Sequence, residues 1–379
     1  MKVAFDGSVV RPPYAGVQLS VLAEMRAIAT GLGDLSGCRF FCHDADFGRE
    51  VRGRGGKVDP LPNALQRSAA RILWQQFVLP RVLRQSGVDV LHALAYTAPR
   101  RCPVPYVLNV HDLIALERPE LCSVANRLHM RALLPGSARR AAACIVSTRH
   151  VAARLQAVLG IPEERIVVLP LGVDVARFSA PAPWPWPLGL PEGRPYVLFV
   201  GNLEPKKGVG TLLAGYAACA SASRVDLVVA GRAAWKCAGL VRRLRSWQGP
   251  GRVRWLGRVP STELPALMQH AVALVMPSIE EGFGLPVLEA MAAGTPVIHS
   301  DHPALVEAAG GAGVAFRTSV AADLAGRFDA LLGDAAWRAE LVAAGRERAA
   351  ALPWRRWGEG AVTVLAAAAR SGRSTPGAG

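Results

Sequence analysis

Two glutamates eight residues apart, Glu281 and Glu289 in EEGFGLPVLEAMAAGTPVI (280–298), bracket a Gly-Phe-Gly-Leu-Pro turn, and two adjacent lysines, Lys206 and Lys207, sit in GNLEPKKG (201–208). Pro286 suits the first turn of a helix, where its missing N–H would be unpaired in any case, and Gly294 suits a helix stop, so a helix is predicted to start near Leu285. No Ser, Thr, Asp or Asn stands at its cap. The amides around Phe283, Gly284 and Leu285 are then available to an anion at the positive end of the helix dipole, and Gly282 and Gly284 free the turn sterically. A carboxylate beside a phosphate repels it, so Glu281, before the turn, and Glu289, one turn inside the helix, are expected to face neutral hydroxyls or developing positive charge. A diphosphate with a sugar on either side fits, which is the shape of a nucleotide sugar. Lys206 and Lys207 would hold phosphate, and Gly231, ending LVVAG, would let a flat or bulky ligand approach the backbone. The plainer alternative makes Glu281 a helix cap, Glu289 a solvated helix residue and the lysines a solvated pair.

These residues need elements to place them. Short apolar runs alternate with helical patterns: 2–7, 38–43, 89–94, 105–112, 143–149 and 165–172, then 194–201, 226–231, 253–257, 273–278, 295–301 and 313–316. Near-continuous apolar strands separated by helices are what a parallel sheet covered on both faces requires. The fold class is therefore α/β, two doubly wound Rossmann-like domains. Six prolines in APAPWPWPLGLPEGRP forbid regular structure and mark a linker. The expected domains are 1–179, a linker at 180–195, 196–350, a C-terminal helix at 351–370 carrying Trp354 and Trp357, and a disordered tail at 371–379. Ligands of open parallel sheets collect outside the carboxyl ends of the strands, so two such sheets facing each other would define a cleft.

A chain of 379 residues suits two domains of roughly 170 to 190 residues. With 51% hydrophobic and 19% charged residues it is globular rather than disordered. Its formal charge of +15 favours anionic partners without choosing among them. Nucleic acid is not expected, because the arginines spread along helices without interleaved aromatics on strands. Seven scattered cysteines without a CxxC argue for reduced thiols in the cytoplasm. CRFFCH (38–43) invites a zinc reading, but its pattern is that of a buried strand. The start MKVAFDG is unlike a signal peptide, and no run approaches the ~20 apolar residues of a spanning helix.

The run from Glu281 to Glu289, with GNLEPKKG, NVHDLI (109–114) and LGVD (171–174), resembles the retaining glycosyltransferases of the GT-B fold, family 4 or "glycosyl transferases group 1". Among these it is similar to bacterial mannosyl- and rhamnosyl-type transferases of surface polysaccharide synthesis. The resemblance covers nearly the whole chain. It implies that Lys207 contacts the donor diphosphate with Gly201 beside it, that Glu289 holds the donor ribose, and that Glu281 with the amides of Phe283 and Gly284 holds the transferred sugar. His111 would reach the sugar or phosphate from the first half, and Tyr14 and Gly16, in RPPYAGV, would line the donor and acceptor side. The last helix would cross back to the first domain. Asn202, where many relatives have Arg or Thr, and Val306, where Pro is common, depart from the pattern and bear on donor identity. The donor would be a GDP- or UDP-linked hexose and the acceptor a glycan or lipid-linked oligosaccharide, with no cofactor. No metal is expected either, since the Asp-x-Asp triplet DAD (44–46) follows an early strand.

Other readings are weaker. Glycosidase carboxylates flank the scissile bond from opposing walls, whereas these two share one turn and helix. A sugar-nucleotide epimerase of the same fold and an idle nucleotide- or lipid-binding module are the alternatives kept. GSVVRPPYAGV lacks the G-x-G-x-x-G of a dehydrogenase. Finally, RSAARILWQQFVLPRVLRQSG (67–87) mixes Arg67, Arg71, Arg81 and Arg84 with Trp74, Phe77, Leu79 and Leu83. That suits a helix lying on an anionic membrane at the inner face of the plasma membrane, broken at Pro80, with a core-packed helix as the equal alternative.

Overall fold

The computed structural model describes residues 1–11, 14, 16–185 and 188–373. Every strand of its two sheets is parallel to its neighbours. The first sheet contains β1 (Val3–Asp6), β2 (Arg39–Cys42), β3 (Lys57–Pro60), β4 (Val90–Ala93), β5 (Tyr106–Val110), β6 (Ala143–Val146) and β7 (Ile166–Val168), in the order β3-β2-β1-β4-β5-β6-β7. The second contains β8 (Tyr196–Val200), β9 (Asp226–Ala230), β10 (Val253–Gly257), β11 (Ala273–Met276), β12 (Val297–Ser300) and β13 (Val314–Phe316), in the order β10-β9-β8-β11-β12-β13. In each, the strand order reverses beside the first strand, between β1 and β4 and between β8 and β11. Loops leaving those neighbours diverge to opposite faces and open a crevice at the strands' carboxyl ends.

The twelve expected strands are present, and β3 is an addition. Its sequence, Lys-Val-Asp-Pro, carries no apolar run because it is a part-exposed edge strand, where a terminal proline is tolerated. The ion pair between Asp59 and Arg39 of β2 ties it on, with Arg39 Nη2 donating to Asp59 Oδ1 at 2.7 Å.

The chain divides into two compact units, one of residues Met1–Leu171 with the segment from Trp354, the other of Gly172–Pro353. The division falls ahead of the expected boundary near Ala180, because the short helix Val175–Ser179 packs on helices Leu264–Gln269 and Leu285–Ala293 of the second unit. The proline-rich stretch is also less of a free linker than its composition suggests. Gln269 Nε2 donates to the carbonyls of Phe178 (2.6 Å) and Ala180 (2.7 Å), and Trp184 Nε1 donates to that of Leu190 (3.0 Å). Trp186 and Pro187 lie outside the described residues.

Within the first unit the last helix, Trp354–Arg373, packs along helix Val17–Leu32. It runs past the expected end at residue 370, and the tail from Ser374 lies outside the described residues. Gly358 makes the close approach possible: a Cβ there would lie 2.3 Å from the Ala27 carbonyl oxygen. Trp357 beside it is buried to 2% exposure.

The sequence CRFFCH forms β2 with Cys38 and Cys42 both buried. Among the described residues no three His, Cys, Asp or Glu side chains gather in a metal-binding group, and no helix is long and apolar enough to cross a membrane.

Helix 67–87 departs from expectation. Pro80 does not break it: a π-turn over Trp74–Val78, with Leu79 N bonded to Trp74 O, inserts the extra residue that accommodates a proline lacking an N–H, and the helix continues to Ser86. Leu79 and Leu83 are core residues at 0% and 1% exposure, Trp74 packs edge-on against Phe41, and the exposed apolar residues are Leu73, Phe77 and Val78.

Gly358→Ala is expected to lower the stability of the first unit by about 1–3 kcal/mol, since backbone meets backbone and neither side can give. A fall in the urea midpoint at unchanged slope would show it. Gly326→Ala, inside helix Ala321–Gly333 with open space at the Cβ position, is expected to raise stability by about 0.5–1 kcal/mol.

Candidate active site

The crevice between β8 and β11 gathers the predicted residues of the second unit. Gly201 follows β8 and Gly231 follows β9, and the two backbones touch so closely that a Cβ on Gly231 would lie 1.7 Å from the Gly201 carbonyl oxygen. Trp255 Nε1 donates to Gly231 O at 2.8 Å and fixes the contact. Asn202 follows on the same loop, half-buried, before Leu203 bridges to Ala233.

The loop then turns through Pro205, Lys206 and Lys207 in a 3₁₀ turn closed by Gly208, whose φ is +63°. A Cβ on Gly208 would lie 2.0 Å from the Pro277 carbonyl oxygen, so the lysine turn presses directly on the chain leaving β11. Ile279 N donates to Lys206 O at 2.7 Å across the same seam.

That seam brings Lys207 Nζ into an ion pair with Glu281, whose Oε1 also accepts from Ser278 Oγ at 3.3 Å. Ser300 Oγ, at the end of β12, donates to Ser278 O at 2.6 Å and steadies the loop. Burial alone would raise the Glu281 carboxyl, but the charges of Lys207 and Lys206, with the hydrogen bonds from Lys207 and Ser278, outweigh it and hold Glu281 below its ordinary range. The carboxylate is thus kept ionised beside a cation.

The predicted helix is present as Leu285–Ala293, entered from Gly284 at φ +93° and left through Gly294 at φ +79°. A Cβ on Gly284 would strike Leu305 Cδ2 at 2.4 Å, so glycine is required there for both space and backbone conformation. No side chain caps the helix, and the amides of Phe283, Gly284 and Leu285 are not spent on an acceptor among the described residues. Phe283 is buried beneath the turn, and Gly282 precedes it.

Glu289 lies one turn into the helix, half-buried. Burial raises its carboxyl to about 7, against the opposing pull of Arg177. Arg177 is a residue the sequence reading did not single out. It stands on helix Val175–Ser179, which Asp174 of the LGVD motif caps by accepting from Arg177 N at 3.0 Å, and its guanidinium donates to Ser261 O. LGVD was the available signal: a capping aspartate announces a helix, and Arg177 is three residues on. Glu280, beside the pair, accepts from His302 Nε2 at 3.3 Å.

In the first unit, His111 follows β5, with its ring buried. Its Nε2–H donates to Leu94 O at 2.9 Å, and Nδ1 lies 3.8 Å from Glu24 Oε1. Nε2 is thus bonded to the backbone, and Nδ1 faces the Glu24 carboxylate. Tyr96, at φ +60°, packs edge-on against the ring at 5.3 Å and donates to Asp112 Oδ2 at 2.8 Å.

Glu24 also went unread. Fully buried on helix Val17–Leu32, it accepts from Ser20 Oγ (3.0 Å) and Asn109 Nδ2 (2.8 Å), while His92 Nε2 donates to Asn109 Oδ1 (2.8 Å). Burial raises the Glu24 carboxyl, opposed by His111 and these donors, and depresses His92 to about 4. A glutamate on the apolar stripe of Val21, Met25 and Ile28 was its signature. Gly16 enters this helix at φ +52° with open space at its Cβ position, and Tyr14 donates to Asp44 Oδ2 at 2.5 Å.

The position of Glu289 carries a pH signature. A carboxyl raised from 4.5 to about 7 stabilises the fold fully below 4.5, and that stabilisation is lost as pH rises through about 7. Glu289→Gln, which imitates the protonated form, is expected to raise the Tm above that of the parent at pH 8, with the difference shrinking toward zero at pH 5. A difference that stayed constant with pH would contradict the burial of this group.

Comparison with known proteins bears on the whole chain. The model described as "Glycosyl transferases group 1" matches residues 182–348, and "Glycosyltransferase Family 4" matches residues 28–177. The O-antigen chain mannosyltransferase B of Escherichia coli is 34% identical over 161 residues, 42% of each chain. The D-inositol 3-phosphate glycosyltransferase of Geodermatophilus obscurus is 30% identical over 76% of this chain and 70% of its own. Two other relatives of that name are spanned over 64% and 62% of their length. Among solved structures, Anabaena HepE, in complex with UDP and glucose, shares the fold at a TM-score of 0.72 and 20% identity, covering 97% of this chain and 100% of that one. With its two Rossmann-like sheets and matches along both halves, the chain belongs to the GT-B glycosyltransferases of family 4, the glycosyl transferases group 1.

Proposed function

We propose that this glycosyltransferase moves a hexose from a GDP- or UDP-linked donor to a hydroxyl of a glycan or lipid-linked glycan, with retention of configuration, and serves surface polysaccharide synthesis in the cytoplasm. The observation that carries the reading is the meeting of Lys207 and Glu281 across the β8/β11 crevice, at the mouth of a helix whose first amides are uncapped. A mannosyltransferase among the relatives and UDP beside a structural neighbour support the donor class.

The donor diphosphate lies against Lys207, Lys206 and the amides of Phe283, Gly284 and Leu285, with Gly201, Asn202, Gly231 and Gly282 as the close-approaching backbone. Glu289, once ionised, accepts from the ribose hydroxyls. Glu281 faces the transferred sugar, and Lys207 keeps it charged. The bond from the anomeric carbon to the phosphate oxygen breaks as the acceptor oxygen bonds to the same face of that carbon. The acceptor's proton passes to the departing phosphate oxygen, and nucleoside diphosphate is released. Charge building on that oxygen is met by a fixed cation and fixed amide dipoles, so neither metal nor cofactor is invoked. His111, Tyr14 and Gly16, in the first unit, are proposed to contact the donor or acceptor.

Lys207→Ala is expected to lower kcat by about 100- to 1000-fold, with a smaller loss in Lys207→Arg, followed as sugar transferred from labelled GDP- and UDP-sugars. The product's anomeric configuration by NMR tests retention. If none of the nucleoside diphosphates or their sugars raised the Tm of folded protein, the reading would give way to an idle binding module.

Attachment to an anionic membrane is also part of the proposal. Leu73, Phe77 and Val78 are exposed to 59%, 61% and 43% on one helix, with exposed Arg67, Arg81 and Arg84 around them. Apolar insertion flanked by arginines matches a lipid interface. The protein should sediment with anionic vesicles at low salt, and Leu73→Ser with Phe77→Ser should release it. Indifference to such vesicles would remove membrane attachment from the proposal.

A further inference from the structure

The carboxyl ends of β1 and β2, in the first unit, collect two arginines and a histidine that form no ion pair with a carboxylate among the described residues. His43 follows β2 directly, and its amide donates to Val10 O at 3.4 Å, bringing the end of that strand beside Arg11. The helix beginning at Ser68 crosses the same strand ends. Its Trp74 packs edge-on against Phe41 of β2, ring centroids 5.5 Å apart, and its Gln75 Nε2 donates to Asp6 Oδ2 (2.7 Å) at the end of β1 and to Thr97 O (2.9 Å) after β4. Arg71, four residues before Gln75, is thereby placed over the end of β2.

The groups act on one another. Burial lowers the His43 imidazole, and Arg11 and Arg71 lower it further; burial and Arg11 lower the Arg71 guanidinium, which in turn acts on His129. Asp6 alone pulls Arg71 the other way, and its oxygens already accept from Gln75 and from Ser8 N at 3.1 Å. Among the described residues neither Arg11 nor Arg71 lies within ion-pair distance of a carboxylate. His43 Nε2 is buried with no hydrogen-bond partner.

Two half-buried guanidinium charges without counter-charge, beside an imidazole that they push toward neutrality, are unfavourable until an anion arrives. The partner must carry more than one negative charge and several acceptor oxygens to satisfy two guanidinium forks and an imidazole, which describes a phosphate or pyrophosphate group better than a lone carboxylate. The place is also right, beside the β1/β4 reversal where ligands of an open sheet collect.

We infer that Arg11, His43 and Arg71 form a binding site for a phosphate or pyrophosphate group of the acceptor. Its assignment to the acceptor rests on the transferase reading; the site itself does not. The acceptor is then an anionic phosphoglycan, either a soluble sugar phosphate or a glycan joined to lipid through pyrophosphate. A neutral oligosaccharide would leave these charges unmet.

The test uses the full chain and inorganic pyrophosphate, followed through the His43 imidazole resonances, assigned with a His43→Gln variant. Pyrophosphate should shift them, and Arg71→Gln should weaken the dissociation constant read there by at least about tenfold. Arg71→Lys, which keeps the charge but loses the fork, should fall between, and serves if the glutamine variant fails to fold. Resonances indifferent to pyrophosphate, or an unchanged constant in Arg71→Gln, would overturn the site. A soluble hexose phosphate and vesicles bearing a polyprenyl diphosphate are then set to compete with pyrophosphate. Competition by either supports the acceptor assignment and names the source, and competition by neither overturns it. Nucleoside diphosphate titrated into the same parent protein, read by thermal stability, reports on the second unit separately, so either reading can fail while the other stands.

Discussion

The ion pair of Lys207 with Glu281 depends on a contact in which neither residue takes part. Gly208 lies so close to the Pro277 carbonyl that no side chain fits, and this closeness sets the distance between the loop leaving β8 and the loop leaving β11. A larger residue would push the two loops apart and separate cation from acid. The topology supplies the rest: only where strand order reverses do two successive loops turn away from each other and leave room for a ligand between them. A buried carboxylate on its own would take up a proton; beside Lys207 and Lys206 it stays charged. The opposite outcome one turn further along the helix, at Glu289, shows how strongly local company decides. The two acids share a sequence motif, yet their carboxyls are shifted in opposite directions.

Much of this was legible in the sequence, for reasons that are local. Helix Leu285–Ala293 could be read because its boundaries are set by Gly284, Pro286 and Gly294, residues whose backbone preferences act without help from the rest of the chain. The central strands could be read because strands buried on both faces must be apolar throughout. β3 could not, since an edge strand held by Arg39 and Asp59 needs no such run. The pairing of Lys207 with Glu281 is a tertiary event, and no spacing rule connects residues so far apart. Glu24 stayed hidden for the same reason: what makes a buried acid tolerable is Asn109 and Ser20 coming to it, and Asn109 arrives from another element.

Where the reading failed, compensation was the cause. Pro80 was expected to break its helix, and the π-turn from Trp74 absorbs it instead. Of the two readings kept for this helix, Leu79 and Leu83 follow the core-packed one, while Leu73, Phe77 and Val78 stay exposed. Likewise the six prolines between residues 180 and 195 suggested a free linker, but Gln269 anchors the start of that stretch to the second unit.

The close seating of the Trp354–Arg373 helix on the Val17–Leu32 helix has a consequence for biogenesis. One component of the first unit's interior comes after its partner in the chain, with the entire second unit translated in between. Domains emerging from the ribosome ordinarily mature in the order they are made. Here the earlier-born unit must wait, its Val17–Leu32 helix bare on one side, until the helix made after the second unit arrives to cover it.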